Sequence, residues 1–173
     1  MRFFAGVVVT IVVIIIIGLI IIYSGWYNVS AANKEKGFPR WVLNTTMDNS
    51  VEKHAEGILV PALNSPEMIK EGFAHYNEMC EGCHGAPGKN ETEIAKGLNP
   101  KAPDLSRSAK EMPPEELFWV TKNGIKMTGM PAWGLTHSDD KIWAMVAFLE
   151  QLPGMSGAEY DSMEAAAPKE DVE

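Results

Sequence analysis

Basic residues are scarce in this chain. Arginine occurs only as Arg2, Arg40 and Arg107 in 173 residues, and the net charge is −8. A nucleic-acid binder would show a basic face, which so few cations cannot assemble, so nucleic acid is excluded as a partner. Cysteine is scarcer still, with Cys80 and Cys83 alone. Two residues between them make too short a loop for a stabilising structural disulfide. A zinc site built on two cysteine pairs is excluded because no second pair exists. No strand-like alternation of apolar and polar residues appears, and no internal repeat. At 19.0 kDa there is room for one compact domain and an anchor, but not for two full domains. The acidity favours solubility and a basic docking partner, or is a plain solvated surface.

The apolar residues that are present crowd into one place. Residues 3–23 read FFAGVVVTIVVIIIIGLIIIY and hold no charge. Roughly 20 apolar residues span a bilayer as a helix. The β-branched run would favour a strand in water, but in lipid every backbone group must be paired within the segment. Tyr23, Trp26 and Tyr27 follow where an interfacial aromatic belt belongs. The run exceeds the ~7–15 residues of a signal-peptide core, although Val29-Ser30-Ala31 has the small residues of a cleavage site. Residues 1–23 are therefore expected to form a retained transmembrane anchor that meets the lipid bilayer through residues 3–23.

Residues 24–64 read as a connector. Within it Leu43, Met47, Val51, His54 and Ile58 recur at helical spacing, so an amphipathic helix is a candidate there, packed on the domain or lying along the membrane. His54 reads as a structural histidine. Residues 65–153 read as an all-α domain. Ser65-Pro66 starts one helix, Pro113-Pro114 opens a second that Gly124 closes, and Ser138-Asp139-Asp140 starts the last. Residues 154–173, small and acidic, read as a disordered tail.

The chemistry concentrates in Cys80-Glu81-Gly82-Cys83-His84. Two thiols at this spacing match the two vinyl groups of a haem, and the adjoining histidine reaches the iron. A thioredoxin-like reading of C-x-x-C would want a βαβ setting, which is absent. The sixth iron position is open to Met127, Met130, His54, His75 or His137. Met130 is preferred, because it sits in Thr128-Gly129-Met130-Pro131-Ala132-Trp133-Gly134 between two helices. Glycines there allow close approach to a flat ring and Pro131 stiffens the loop. A His/Met pair suits an electron carrier.

On these motifs the sequence resembles class I c-type cytochromes, most of all bacterial single-haem forms tethered by an N-terminal helix. The resemblance covers about residues 66–153. It implies a small helical fold around one covalent haem c, held by Cys80 and Cys83, with His84 and Met130 as axial ligands. It also implies that Gly72 and Tyr76 lie where the last helix crosses the first, with Phe148 packed near that glycine. Pro103-Asp104-Leu105 matches the family's P-x-L segment: the Pro103 carbonyl would accept a bond from His84 and Leu105 would lie on the haem, with Pro100 as the alternative. Trp119 is expected to pack in the core or to touch the haem. Glu81, Lys89 and Lys126 would ring the exposed haem edge.

The function expected from the resemblance is electron transfer with no small-molecule substrate and no catalysis of its own. Redox proteins at the membrane, in a respiratory or photosynthetic chain, would be the partners. The alternative is a haem subunit of a membrane oxidoreductase of nitric-oxide reductase, dehydrogenase or terminal oxidase type. Attachment of haem to C-x-x-C-H on the outer side of the bacterial membrane would place the domain in the periplasm or outside the cell.

Overall fold

The computed structural model of the chain describes residues 2–34 and 36–167. Two compact units follow from the uneven composition, the first ending at Asn33 and the second beginning at Lys34. The first is built on α1, Arg2–Ser24, a 23-residue helix with no buried residue. At ~1.5 Å per residue it is about 35 Å long. By length and composition it is able to cross a membrane. Its mid-helix hydroxyl is satisfied within the helix, as Thr10 Oγ1 donates to the Gly6 carbonyl at 3.0 Å.

The second unit is helical, with no strand among the described residues. It opens with α2, Phe38–Ala55. Next, α3, Pro66–His75, starts where Ser65 Oγ accepts the Met68 amide and Pro66 takes the first turn. The helix continues through a π-helical turn, Tyr76–Cys80, into Glu81–His84. Then α4, Pro114–Asn123, stops at Gly124, whose φ of 64° only glycine adopts readily. A long helix, α5, Asp139–Gln151, begins with two carboxylates at its positive pole, although the Ser138 side chain makes no capping bond.

The core sits where α3 packs on α5, the most extensive contact in the unit. Phe73 meets Phe148 edge to face, with ring centres 5.3 Å apart. Across the other side of α5, Phe118 of α4 stacks on Trp143 at 4.1 Å. Ile142, Met145, Val146 and Phe148 lie between and are essentially sealed from water. The all-α cytochrome-like architecture expected from the sequence is the one observed.

Two expectations change. Of the predicted stripe only Val51 is buried: Leu43, Met47 and His54 are exposed, Ile58 is half-buried, and Ala55, outside the stripe, is the other buried residue of α2. The helix packs on α4, where His54 stacks on Trp119 at 5.4 Å. Trp119 is thus half-buried beneath another helix. The tail is the second change, because Gly157–Ala166 is not disordered but forms a helix, α6, with a complete capping box between Ser156 and Glu159. Its Tyr160 is fully buried against Phe73, Tyr76 and Phe148. One aromatic among small and acidic residues has no helical stripe to reveal it, and its partners are remote in sequence. Residues 168–173 of the expected tail lie outside the described residues.

Candidate haem site

Cys80 and Cys83 leave the end of α3 as free thiols, both partly buried. The turn that carries them is tied down at both ends. Tyr76 Oη donates to the Gly85 carbonyl at 2.5 Å, and Thr92 Oγ1 donates to the Gly82 carbonyl. Thr92 also caps the short helix Glu93–Gly97 by accepting the Ala95 amide. Sequence reasoning missed Thr92, although a threonine ahead of a glutamate is a helix-start signal. Burial pushes the Cys80 thiol up to about 12, with Cys83 adding a smaller push. Such a setting disfavours a metal-bound thiolate and suits an uncharged sulfur, as in a thioether.

His84 is held from outside the motif. Its Nδ1 donates to the Pro103 carbonyl at 2.8 Å, which leaves Nε2 with its lone pair. Burial holds the imidazole below its ordinary value, partly offset by that bond, so the ring is neutral and able to ligate. The acceptor is Pro103, not the alternative Pro100. Leu105 is partly buried against the core. Between them Asp104 caps the turn Leu105–Ser108, accepting from the Ser106 amide and hydroxyl and from Arg107.

The loop after α4 folds back on itself. The Ile125 amide donates to the Met130 carbonyl at 3.2 Å, and Thr128 Oγ1 accepts the Met130 amide at 3.1 Å. Gly124 is required by space, because a Cβ there would strike the Met130 carbonyl at 2.7 Å, whereas one on Gly129 would meet only the movable tip of the Leu98 side chain at 2.8 Å. Met130 is half-buried, whereas Met127 sits at a positive φ of 61° and is 91% exposed. The three other histidines have partners of their own. His54 lies on Trp119, and its Nδ1 donates to the Ser50 carbonyl. His75 and His137 meet edge to face at 5.3 Å, and His137 also packs on Trp133. Lys89, expected at the haem rim, instead pairs with Glu164 at 2.8 Å and lies 3.6 Å from Glu81.

Two thiols on one turn, a neutral oriented imidazole and a glycine-lined methionine loop suit a covalently held haem, the site of a cytochrome c domain. Residues 67–149, a little under half of the chain, match the family described as cytochrome c oxidase, cbb3-type, subunit III. Among solved structures, a chain of the reducing HAO-like protein complex of Kuenenia stuttgartiensis is 21% identical, with a TM-score of 0.48 over 55% of this chain. This chain spans 47% of that neighbour's length. No curated protein matches it.

Proposed function

We propose that the protein is a membrane-tethered carrier that passes single electrons between redox proteins through one haem c. Haem-based electron transfer follows from the cytochrome c domain. The single observation that carries the finer reading is the placement of Met130, half-buried in a self-bonded loop, while Met127 faces water. When bound, the haem supplies a one-electron iron couple, and a His/Met pair raises its potential.

The chain's own residues do the rest. Cys80 and Cys83 would hold the ring by thioether bonds. The Pro103 carbonyl fixes the tautomer and angle of His84. Met130 would offer its sulfur to the iron, and Leu105 would lend apolar surface to the ring. Helix α1 holds the domain at the bacterial cell membrane with the haem site on the outer side. Tethering raises the local concentration of membrane partners without adding a contact.

A second reading, a haem subunit of a membrane oxidoreductase, is favoured by the oxidase-subunit description of the matched family. Mild detergent extraction separates the two: a free carrier leaves the membrane alone, and a subunit brings a large catalytic partner. For the carrier site, pyridine haemochrome analysis is expected to report one haem c per chain. Met130→His is expected to abolish the sulfur-to-iron absorption band of the ferric protein and to lower the potential. A Met130→His protein that kept that band would remove Met130 from the iron.

A further inference from the structure

Helix α2 is two different helices end to end. Val51 and Ala55, in its second half, are buried, but every residue from Phe38 to Asn44 is exposed. Four of those exposed residues are large and apolar, Phe38, Trp41, Val42 and Leu43, and the first three fall at i, i+3 and i+4. Phe38 is 73% exposed and Trp41 60%, and their rings lie 5.7 Å apart. Adjacent aromatic rings held together in water are unfavourable for a soluble surface and are the usual mark of a contact site.

Charge divides the helix in the same way. Lys34, Lys36 and Arg40 flank the aromatic pair in the sequence, with Glu35 the one acid among them. The following turns carry Asp48 and Glu52 with Lys53, which pairs with Glu56 beyond the helix end at 2.7 Å, and the repulsion of Glu52 and Asp48 reaches Glu116, whose carboxyl is raised by burial first and by these charges and Glu115 after it. In a chain of net charge −8, three of the 15 lysines and arginines thus fall within residues 34–40, next to the exposed tryptophan.

We propose that the first two turns of α2 seat in the headgroup layer of an anionic bilayer, Phe38, Trp41 and Val42 entering the acyl boundary and Lys34, Lys36 and Arg40 meeting lipid phosphates. Amphipathic tryptophan and phenylalanine with flanking cations are the chemistry of that layer. Chain connectivity allows it. Only residues 25–37 separate the end of α1 from Phe38, which bounds the reach at about 45 Å. The acidic second half of α2 is repelled by the same surface, so the contact tilts the helix and restricts the orientations in which the haem domain meets a partner. The inference rests on the reading of α1 as a membrane anchor.

The test uses the full-length, haem-loaded protein in vesicles of phosphatidylethanolamine and phosphatidylglycerol in equal parts. The thioethers occupy both native cysteines, so a single added cysteine takes a spin label. Labels are placed at Ile15→Cys, Phe38→Cys, Trp41→Cys and Asp161→Cys, and their accessibility to oxygen and to a water-soluble nickel chelate is compared. Labels at 15, 38 and 41 are expected to favour oxygen and the label at 161 the chelate. Replacing phosphatidylglycerol by phosphatidylcholine is expected to return the labels at 38 and 41 toward water. If the label at 15 lies in lipid while those at 38 and 41 stay open to the chelate, the seating is overturned and the anchor stands. If the label at 15 is itself in water, the anchor reading fails and the seating fails with it.

Discussion

Gly72 on α3 lies directly beneath the Ala144 carbonyl of α5, so that a methyl group at position 72 would overlap that oxygen and sit 3.0 Å from Phe148 Cβ. The two backbones touch here, and the aromatic pair Phe73–Phe148 closes over the crossing. Because α3 runs straight on into the haem motif, its seating on α5 sets where Cys80, Cys83 and His84 emerge. A Gly72→Ala variant must part the helices. Over-packing of this kind costs roughly 1–3 kcal/mol. The expected outcome is a lower urea midpoint with an unchanged slope, and a further loss for Gly72→Val. An unaltered midpoint for Gly72→Ala would show that the helices part freely.

Tyr160 binds α6 to the same crossing. Its ring is fully buried between Phe73, Tyr76 and Phe148, and its hydroxyl donates to Asn77 Oδ1 at 3.1 Å. Tyr160→Phe removes one hydrogen bond and leaves a part-buried amide acceptor, at a cost of about 1 kcal/mol. Tyr160→Ala removes the ring as well, and such truncations cost roughly 3–5 kcal/mol. Hydrogen exchange is expected to rise across residues 157–166 in Tyr160→Ala. It is also expected to rise at Asn77, which loses the bond from the Tyr160 hydroxyl.

How far the sequence discloses all this depends on how local each cause is. Ser65-Pro66, Pro113-Pro114 and Gly124 act within one helical turn, and the helix ends fall where those residues predict. The haem motif is five consecutive residues and legible for the same reason. By contrast α6 owes its order to Tyr160, whose partners Phe73 and Tyr76 lie more than 80 residues earlier, a separation no local pattern records. The burial of Val51 but not Leu43 likewise depends on how far α2 overlaps α4, which spacing along α2 does not contain. Lys89 reads from sequence as a free cation at the haem rim, and only the position of α6 turns it into an internal bridge.

His75 gives the domain an acid-sensitive edge. Its ring is held below the ordinary histidine value, first by burial and then by His137 and Lys141, against weaker opposition from Glu71 and Glu78. The folded protein therefore resists taking up a proton that the unfolded chain accepts near pH 6.5. The contribution of the neutral ring is complete above pH 6.5 and is lost as pH falls toward the lower folded value. Urea unfolding at pH 8 and at pH 5 is expected to show a smaller drop for His75→Gln than for the wild type. Equal drops would place the acid sensitivity elsewhere.

Asp104 governs the carbonyl that steers His84. Its side chain accepts from the Ser106 amide at 3.1 Å and from Arg107 Nη2 at 2.7 Å, and its own carbonyl accepts the Ser108 amide at 3.0 Å. The peptide that presents the Pro103 oxygen to His84 is thus fixed from the C-terminal side. The Ser106 hydroxyl, and after it Arg107, hold the Asp104 carboxyl below its ordinary value of 3.8. For a depressed carboxylate, the stabilising contribution is complete above pH 3.8 and disappears as pH falls through the folded value. An Asp104→Asn protein is expected to show a shallower acid limb than the wild type in that window. Asp104→Ala loses the cap, worth about 1 kcal/mol, and frees the Pro103 carbonyl to drift from the 2.8 Å contact with His84. An imidazole that donates a weaker bond is a less basic ligand and stabilises ferric iron less. The reduction potential of Asp104→Ala is therefore expected to rise in an optical redox titration, while Lys101→Ala, which removes the surface partner of Glu91, leaves it unchanged. A potential that stayed at the wild-type value in Asp104→Ala would show that the Pro103 oxygen is held without help from Asp104.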